Sequence, residues 1–203
     1  MATQTQEIGT RQRLINAMQD LLQRKGFHGI GLSDVLAQAQ APKGVLYHHF
    51  PGGKVELAVV AIQSAVNNII SKLEQLRAMN ESPLQVLSIW LDLAQKKLIK
   101  SGFQQGCPLA TVALESTAED RALRKTLDEG FNTIRSALAE MLAEAGMTTE
   151  RASRFSTLIV SAYEGALLQS RVADSAKPAG DTLDLLLQLI QLEIDPSEKR
   201  SCK

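Results

Sequence analysis

The run Lys43-Gly44-Val45-Leu46-Tyr47-His48-His49-Phe50 decides the fold. Pro42 stands before it, and the fixed φ and missing N–H of proline suit the first position of a helix. Pro51-Gly52-Gly53 stands after it and stops that helix near Phe50. Inside the run, Leu46 and Phe50 fall at i and i+4 and form one apolar stripe. Lys43, Tyr47 and His48 carry their polar groups on other faces. One side of this short helix is made to dock, and another is left free.

Upstream, Thr10 suits an N-cap, and Leu14, Met18, Leu21 and Leu22 recur on one face until Gly26 closes the helix and Phe27 folds back on it. Leu32, Val35, Leu36 and Ala39 mark a second helix of two turns. Gln40 and Ala41 then turn the chain into the quoted run. Three short helices, the last two joined by a tight turn, are the arrangement that lays a second helix in the major groove of DNA.

Downstream, Lys54 opens a long apolar-periodic segment through Val55, Val59, Ile62, Val66, Ile69, Ile70 and Leu73 to about Met79. Further helices are expected over 83–100, 107–116, 118–145, 148–173 and 180–193, with breaks at Gly102, Gly106-Cys107-Pro108, Gly146 and Lys177-Pro178. No run of alternating β-branched residues suggests a strand. The expected class is all-α: a three-helix head over 1–52, joined by the long helix to a helical bundle over 53–195, with a disordered tail at 196–203.

The 203 residues carry no net charge, but the charge is unevenly spread. Residues 1–54 hold six Lys or Arg against three Asp or Glu, a net of +3, which leaves the remainder at 16 against 19, or −3. All three histidines, His28, His48 and His49, lie in the positive part. A basic head on an acidic body fits a phosphate-bearing partner. The first ten residues lack the apolar stretch of a secretory signal, and no run approaches a membrane span, so a cytoplasmic protein is expected. Two cysteines far apart in sequence, Cys107 and Cys202, suit a reduced compartment rather than a disulfide scaffold.

On the short third helix, Lys43 offers a cation to phosphate or to a guanine edge. Gly44 leaves the backbone bare for close approach, and Tyr47 and His48 can hydrogen-bond phosphate without being ionised. Lys54, just past this helix, is a further phosphate candidate, as is the helix start at Pro42. The quoted run, with Ala39 to Pro42 before it and Lys54 after it, resembles the DNA-binding signature of the TetR family of repressors. The later Gly-Cys-Pro-x-Ala-x-Val-Ala-Leu-Glu at Gly106 to Glu115 is similar to the LmrA/YxaF-like subgroup. The resemblance implies an obligate homodimer that binds double-stranded operator DNA, a variable effector-binding body, and repression relieved by a small molecule. Two positions depart from the pattern. Gln40 stands where the family usually places glycine in the turn, and a positive φ there would be strained. Ile30-Gly31 stand where a Ser or Thr usually starts the second helix and touches phosphate, a role left to Ser33.

In the body, Trp90, Phe103, Cys107, Thr111, Phe131 and Tyr163 are the candidate effector-binding residues, because breaks at Gly102 and Gly106 leave helix ends that can line a cavity. For any single ring, core packing is the better reading. Asp92, Glu115 and Glu164 are the candidate acids. The expected effector is hydrophobic, aromatic or cationic, and the expected target an efflux or detoxification gene. Cys107 at a helix start would feel the helix dipole, which lowers a thiol pKa and makes it a redox-switch candidate; the alternative is a small core residue. Phe155, Ile159, Ala162, Ala166, Leu183, Leu187 and Ile190 form a broad apolar face across the last two helices, suited to a two-fold four-helix interface or to a bundle core. The adjacent His48 and His49 point about 100° apart on a helix and have no ligating neighbours in sequence, so no metal is implied, nor any cofactor. No Ser-His-Asp set or phosphate loop supports an enzyme. A helical protein-interaction module with a basic head remains the other alternative.

Overall fold

The computed structural model of the chain describes residues 9–79 and 82–195. The expected tail lies outside the described residues. These form nine helices and no strand: α1 (Thr10–Lys25), α2 (Leu32–Ala39), α3 (Lys43–His49), α4 (Gly53–Ala78), α5 (Pro83–Lys100), α6 (Pro108–Glu115), α7 (Arg121–Glu144), α8 (Thr149–Ala173) and α9 (Lys177–Ile194). The fold is all-α. No described helix is long and apolar enough to cross a membrane.

Leu14, Met18 and Leu22 repeat every four residues along α1 and are fully buried, in one core with Val35 and Ala39 of α2, Leu46 of α3 and Phe50. Polar contacts reinforce that docking. The Arg11 guanidinium lies 5.2 Å from the Phe50 ring centre, and Arg13 Nε donates to the Ala39 carbonyl at 3.1 Å. α1 thus holds the C-terminal ends of both α2 and α3.

The turn between α2 and α3 is left-handed at Gln40, with φ 50° and ψ 49°. The Ala41 N–H reaches back to the Leu36 carbonyl at 3.0 Å, closing α2 in the way a glycine usually does. Pro42 is extended, with ψ 148°, and caps α3 rather than opening it, so this helix starts one position later than expected. α1 shifts the other way, since Thr10 is its first residue and Gly9 is its cap.

Two boundaries in the body differ from expectation by a turn. α7 starts at Arg121 because Asp120 Oδ2 accepts from the Thr117 N–H at 2.8 Å and its hydroxyl at 3.0 Å, which holds 117–120 as a turn. α9 starts at Lys177, so Pro178 is no break. It sits in the first turn, where a missing N–H has no intrahelical partner to lose. The real break is Asp174, which is left-handed at φ 49°.

α4 links the head to the body, packing on α1, α5 and α7. Gly130 lets α7 come close: a Cβ there would stand 2.9 Å from Val66 Cγ2 of α4 and 3.1 Å from Leu109 Cδ2 of α6. α8 packs between α7 and α9. The α8–α9 pair is pinned near one end by Ser170 Oγ, which accepts from the Ala179 N–H at 2.9 Å, and near the other by Arg151 on Glu193 at 2.7 Å.

A left-handed non-glycine residue costs about 1 kcal/mol or more. Gln40→Gly should therefore stabilise the chain by about 1 kcal/mol in urea melts, and Gln40→Val should destabilise it. Equal midpoints for all three proteins would show that this turn carries no strain.

Candidate nucleic-acid interface and body cavity

α3 divides its faces as its sequence requires. Leu46 and Phe50 are buried, whereas Pro42, Lys43, Gly44, Tyr47 and His48 are exposed, Tyr47 to 46%. A Cβ at Gly44 would meet nothing within 4 Å, so the backbone there is open to approach. The His48 and His49 rings lie edge to face at 5.1 Å, and among the described residues no group of three His, Cys, Asp or Glu side chains could hold a metal ion.

Two candidates stand differently from the rest. Ser33 is exposed in the first turn of α2, but the cap position belongs to Gly31, whose N–H donates to Asp34 Oδ2 at 3.2 Å. Lys54 is half-buried, with Nζ 4.1 Å from the Phe27 ring centre. Burial lowers its pKa, and the nearby Glu115 carboxylate partly offsets that. Its ammonium therefore has partners at the junction of head and body.

In the body, a cavity of about 490 Å³ opens between α6, α7 and α8, lined by Cys107, Ala110, Thr111, Phe131, Val160 and Glu164 among others, with Arg135 and Arg171 also on its wall. A second cavity of about 260 Å³ is lined by Trp90, Lys97 and Tyr163. The two share Gly106, Cys107 and Leu167. The six candidate residues thus separate. Cys107, Thr111 and Phe131 face the larger cavity. Trp90 and Tyr163, stacked at 5.2 Å, face the smaller one. Phe103 lines neither, because it is left-handed at φ 59° in the cap that ends α5.

Of the candidate acids, Asp92 pairs with Lys96 at 2.6 Å, and Glu115 points toward the head. Glu164 alone of the three lines the larger cavity, where burial raises its carboxyl to about pH 7 despite a hydrogen bond with Cys107. Its signal in sequence is that it is the one charge in the apolar run 158–168, with Val160 and Leu168 one turn to either side. Arg135 and Arg171 carry no such mark. Burial and then Glu164 push the Cys107 thiol well above its ordinary value, outweighing the backbone N–H groups of the helix start. The expected lowering by the helix dipole is therefore reversed, and a neutral buried thiol is a poor nucleophile toward oxidants.

The broad apolar face of α8 and α9 also divides. Ile159, Ala166, Leu183 and Ile190 are buried within the chain, where α8 meets α7 and α9 meets α5 and α8, and there they serve as bundle core. Phe155, Ala162 and Leu187 are half-buried. The large apolar residues left exposed are Leu158, Leu168 and Val172 of α8 and Leu185 and Leu189 of α9. A core stripe and a surface stripe differ by a rotation of about 100° per residue, which an unusually apolar helix hides in its sequence.

A helix docked by one face on a three-helix head, with basic and hydroxyl groups on the other, defines a helix-turn-helix DNA-binding regulator. The chain belongs to the TetR family of bacterial regulatory proteins. Residues 14–60 match the family described as bacterial regulatory proteins of the tetR family, and residues 83–181 match the C-terminal domain of LmrA/YxaF-like transcriptional regulators. The chain is 28% identical over 169 residues to the HTH-type transcriptional regulator LmrA of Bacillus subtilis (strain 168), covering 83% of this chain and 90% of that protein. It is 30% identical over 163 residues to the uncharacterized HTH-type transcriptional regulator YxaF of the same organism, covering 79% and 84%. The crystal structure of a TetR transcriptional regulator from Legionella pneumophila shares the fold, with a TM-score of 0.81 at 19% identity over 94% of this chain and all of that one. Regulators of this family are non-enzymatic DNA-binding proteins.

The raised Glu164 carboxyl has a consequence for stability. The folded chain keeps this proton to about pH 7, whereas the unfolded chain loses it near 4.5. The resulting penalty is absent below the lower value, grows through that window and is complete above the upper one, reaching about 3 kcal/mol. Glu164→Gln should therefore raise the melting temperature at pH 8 and lose that advantage at pH 4. A pH-independent difference would mean that the carboxyl is not held protonated by the fold.

Proposed function

We propose that this protein is a homodimeric one-component repressor, acting in the cytoplasm, that binds operator DNA through residues 1–52 and releases it when a small hydrophobic compound enters the body formed by residues 53–195. The observation that carries the reading is the division of α3: Leu46 and Phe50 anchor it, while Lys43, Gly44, Tyr47 and His48 are free to meet a duplex, with Pro42, Ser33 and Lys54 at its margins. The cavity of about 490 Å³ supports the effector, since its size suits a drug-sized molecule. Its walls favour an apolar body bearing a hydrogen-bond donor for Glu164. The regulated gene is one that exports or detoxifies the same compound.

The homodimer is supported by the exposed stripe of Leu158, Leu168, Val172, Leu185 and Leu189, which in the free chain leaves apolar area in water. Four helices paired about a two-fold axis would cover it and set the heads about one DNA turn apart, ~34 Å. Leu168→Lys combined with Leu185→Lys should convert the dimer to a monomer in sedimentation and weaken operator binding. A double variant that still sediments as a dimer would move the interface elsewhere.

The reading is tested by binding to duplex DNA from the protein's own upstream promoter. Affinity should exceed that for random duplex and fall steeply with salt. Lys43→Ala should weaken binding and reduce the salt slope by about one, and Tyr47→Ala should abolish the preference, both with the dimer intact. Equal affinity for promoter and random duplex at physiological salt would defeat the repressor reading. It would favour a protein partner for the basic head.

A further inference from the structure

Glu115 ends α6, and its carboxylate leaves the body to grip the head. It accepts from the backbone N–H of Phe27, and from that of His28 at 3.3 Å, in the turn that follows α1. A Cβ on Gly26 would stand against the Glu115 carboxylate, and the positive φ of Gly26, 69°, is what calls for glycine there. Lys54 Nζ lies above the Phe27 ring on the same site and feels the Glu115 charge. The carboxylate thus holds two backbone donors and faces one cation, where charge-assisted bonds are strong.

The contacts on either side belong to the same seam. His28 Nε2 and Asp120 Oδ2 stand 3.1 Å apart, the Gly106 N–H donates to the Gln23 carbonyl at 3.4 Å, and Arg171 donates to the Arg24 carbonyl at 3.1 Å. Both ends of α6 are therefore fastened to the last turn of α1 or to the loop beyond it. α6 itself spans about 12 Å. Between them, Ala110, Thr111, Ala113 and Leu114 are wall of the larger cavity.

We infer that Glu115 is a positioning residue: a latch that sets the orientation of the DNA-binding head on the body and transmits occupancy of the cavity to it. The second half of this rests on the effector reading of that cavity. A molecule seated against Ala110 and Leu114 displaces α6 and draws the carboxylate from its donors. Phe27 is buried, and its N–H cannot stay unpaired without cost. The end of α1 must then move until water or another acceptor reaches that N–H, and α2 and α3 move with it.

The latch is tested without knowing the effector, in the full-length dimer, with Glu115→Ala, Glu115→Gln, the cavity-filling Ala110→Leu, and Ala110→Leu with Glu115→Ala. The readouts are affinity for upstream promoter duplex and amide hydrogen exchange. Glu115→Ala should change operator affinity about fivefold or more and speed exchange at Phe27 and His28, leaving exchange within α8 unchanged. Glu115→Gln keeps one acceptor oxygen and should fall between, which preserves the test if the alanine variant does not fold. Ala110→Leu should shift operator affinity in the native background and add nothing once Glu115 is gone; Ala110→Val replaces it if the larger side chain does not fold. Unchanged affinity and exchange in Glu115→Ala would overturn the latch. An equal effect of Ala110→Leu in both backgrounds would overturn its transmitting role while leaving the effector reading intact. An effect of Glu115→Ala with no effect of cavity filling in either background would support the latch as a positioning device and count against the effector reading.

Discussion

The burial of α1 is the constraint on which the other elements depend. Its stripe of Leu14, Met18 and Leu22 is the core of the head, and without it neither α2 nor α3 has a surface to dock on. Yet α1 is also held by the body. Gln19 donates to the Ala61 carbonyl of α4 at 3.0 Å, and α6 packs along its C-terminal half. A helix shared in this way cannot follow one set of neighbours without straining the other, because close-packed side chains shift between discrete arrangements rather than deform smoothly. The head is therefore oriented by the body as well as attached to it.

The interior of the body adds a second constraint. Glu164, Cys107 and Tyr163 are three acids clustered on the walls of the two cavities, and each is pushed toward its neutral form, chiefly by burial. A neutral carboxyl can donate as well as accept, which widens what it can bind, and it resolves the conflict between a charged side chain and an apolar cavity at modest cost. The same neutrality counts against Cys107 as a redox switch.

Much of this was legible in the chain because helices of this protein have local causes. The stripes of α1 and α2 and the pairing of Leu46 with Phe50 lie within one or two turns of sequence, where periodicity speaks directly. Gln40 is the instructive case. Its departure from glycine marked the turn as strained, and the turn is indeed left-handed, so the residue is tolerated rather than avoided. What stayed open has the opposite origin. Ile159, Ala166, Leu183 and Ile190 could be read as interface or as bundle core because α8 and α9 are apolar almost all round, and only the positions of α5 and α7 decide which face is core.

The sequence by itself determined the all-helical class, the three-helix head and the division of α3 into an anchored and a free face, since each follows from residues a turn or two apart. Tertiary structure alone decided what α3 is joined to. It brought Glu115 to Phe27 across 88 residues of chain, turned Lys54 onto the Phe27 ring, and split the aromatic candidates between two cavities. Contacts of that range depend on how whole helices pack, and a helical period records which face is apolar but not which neighbour will cover it.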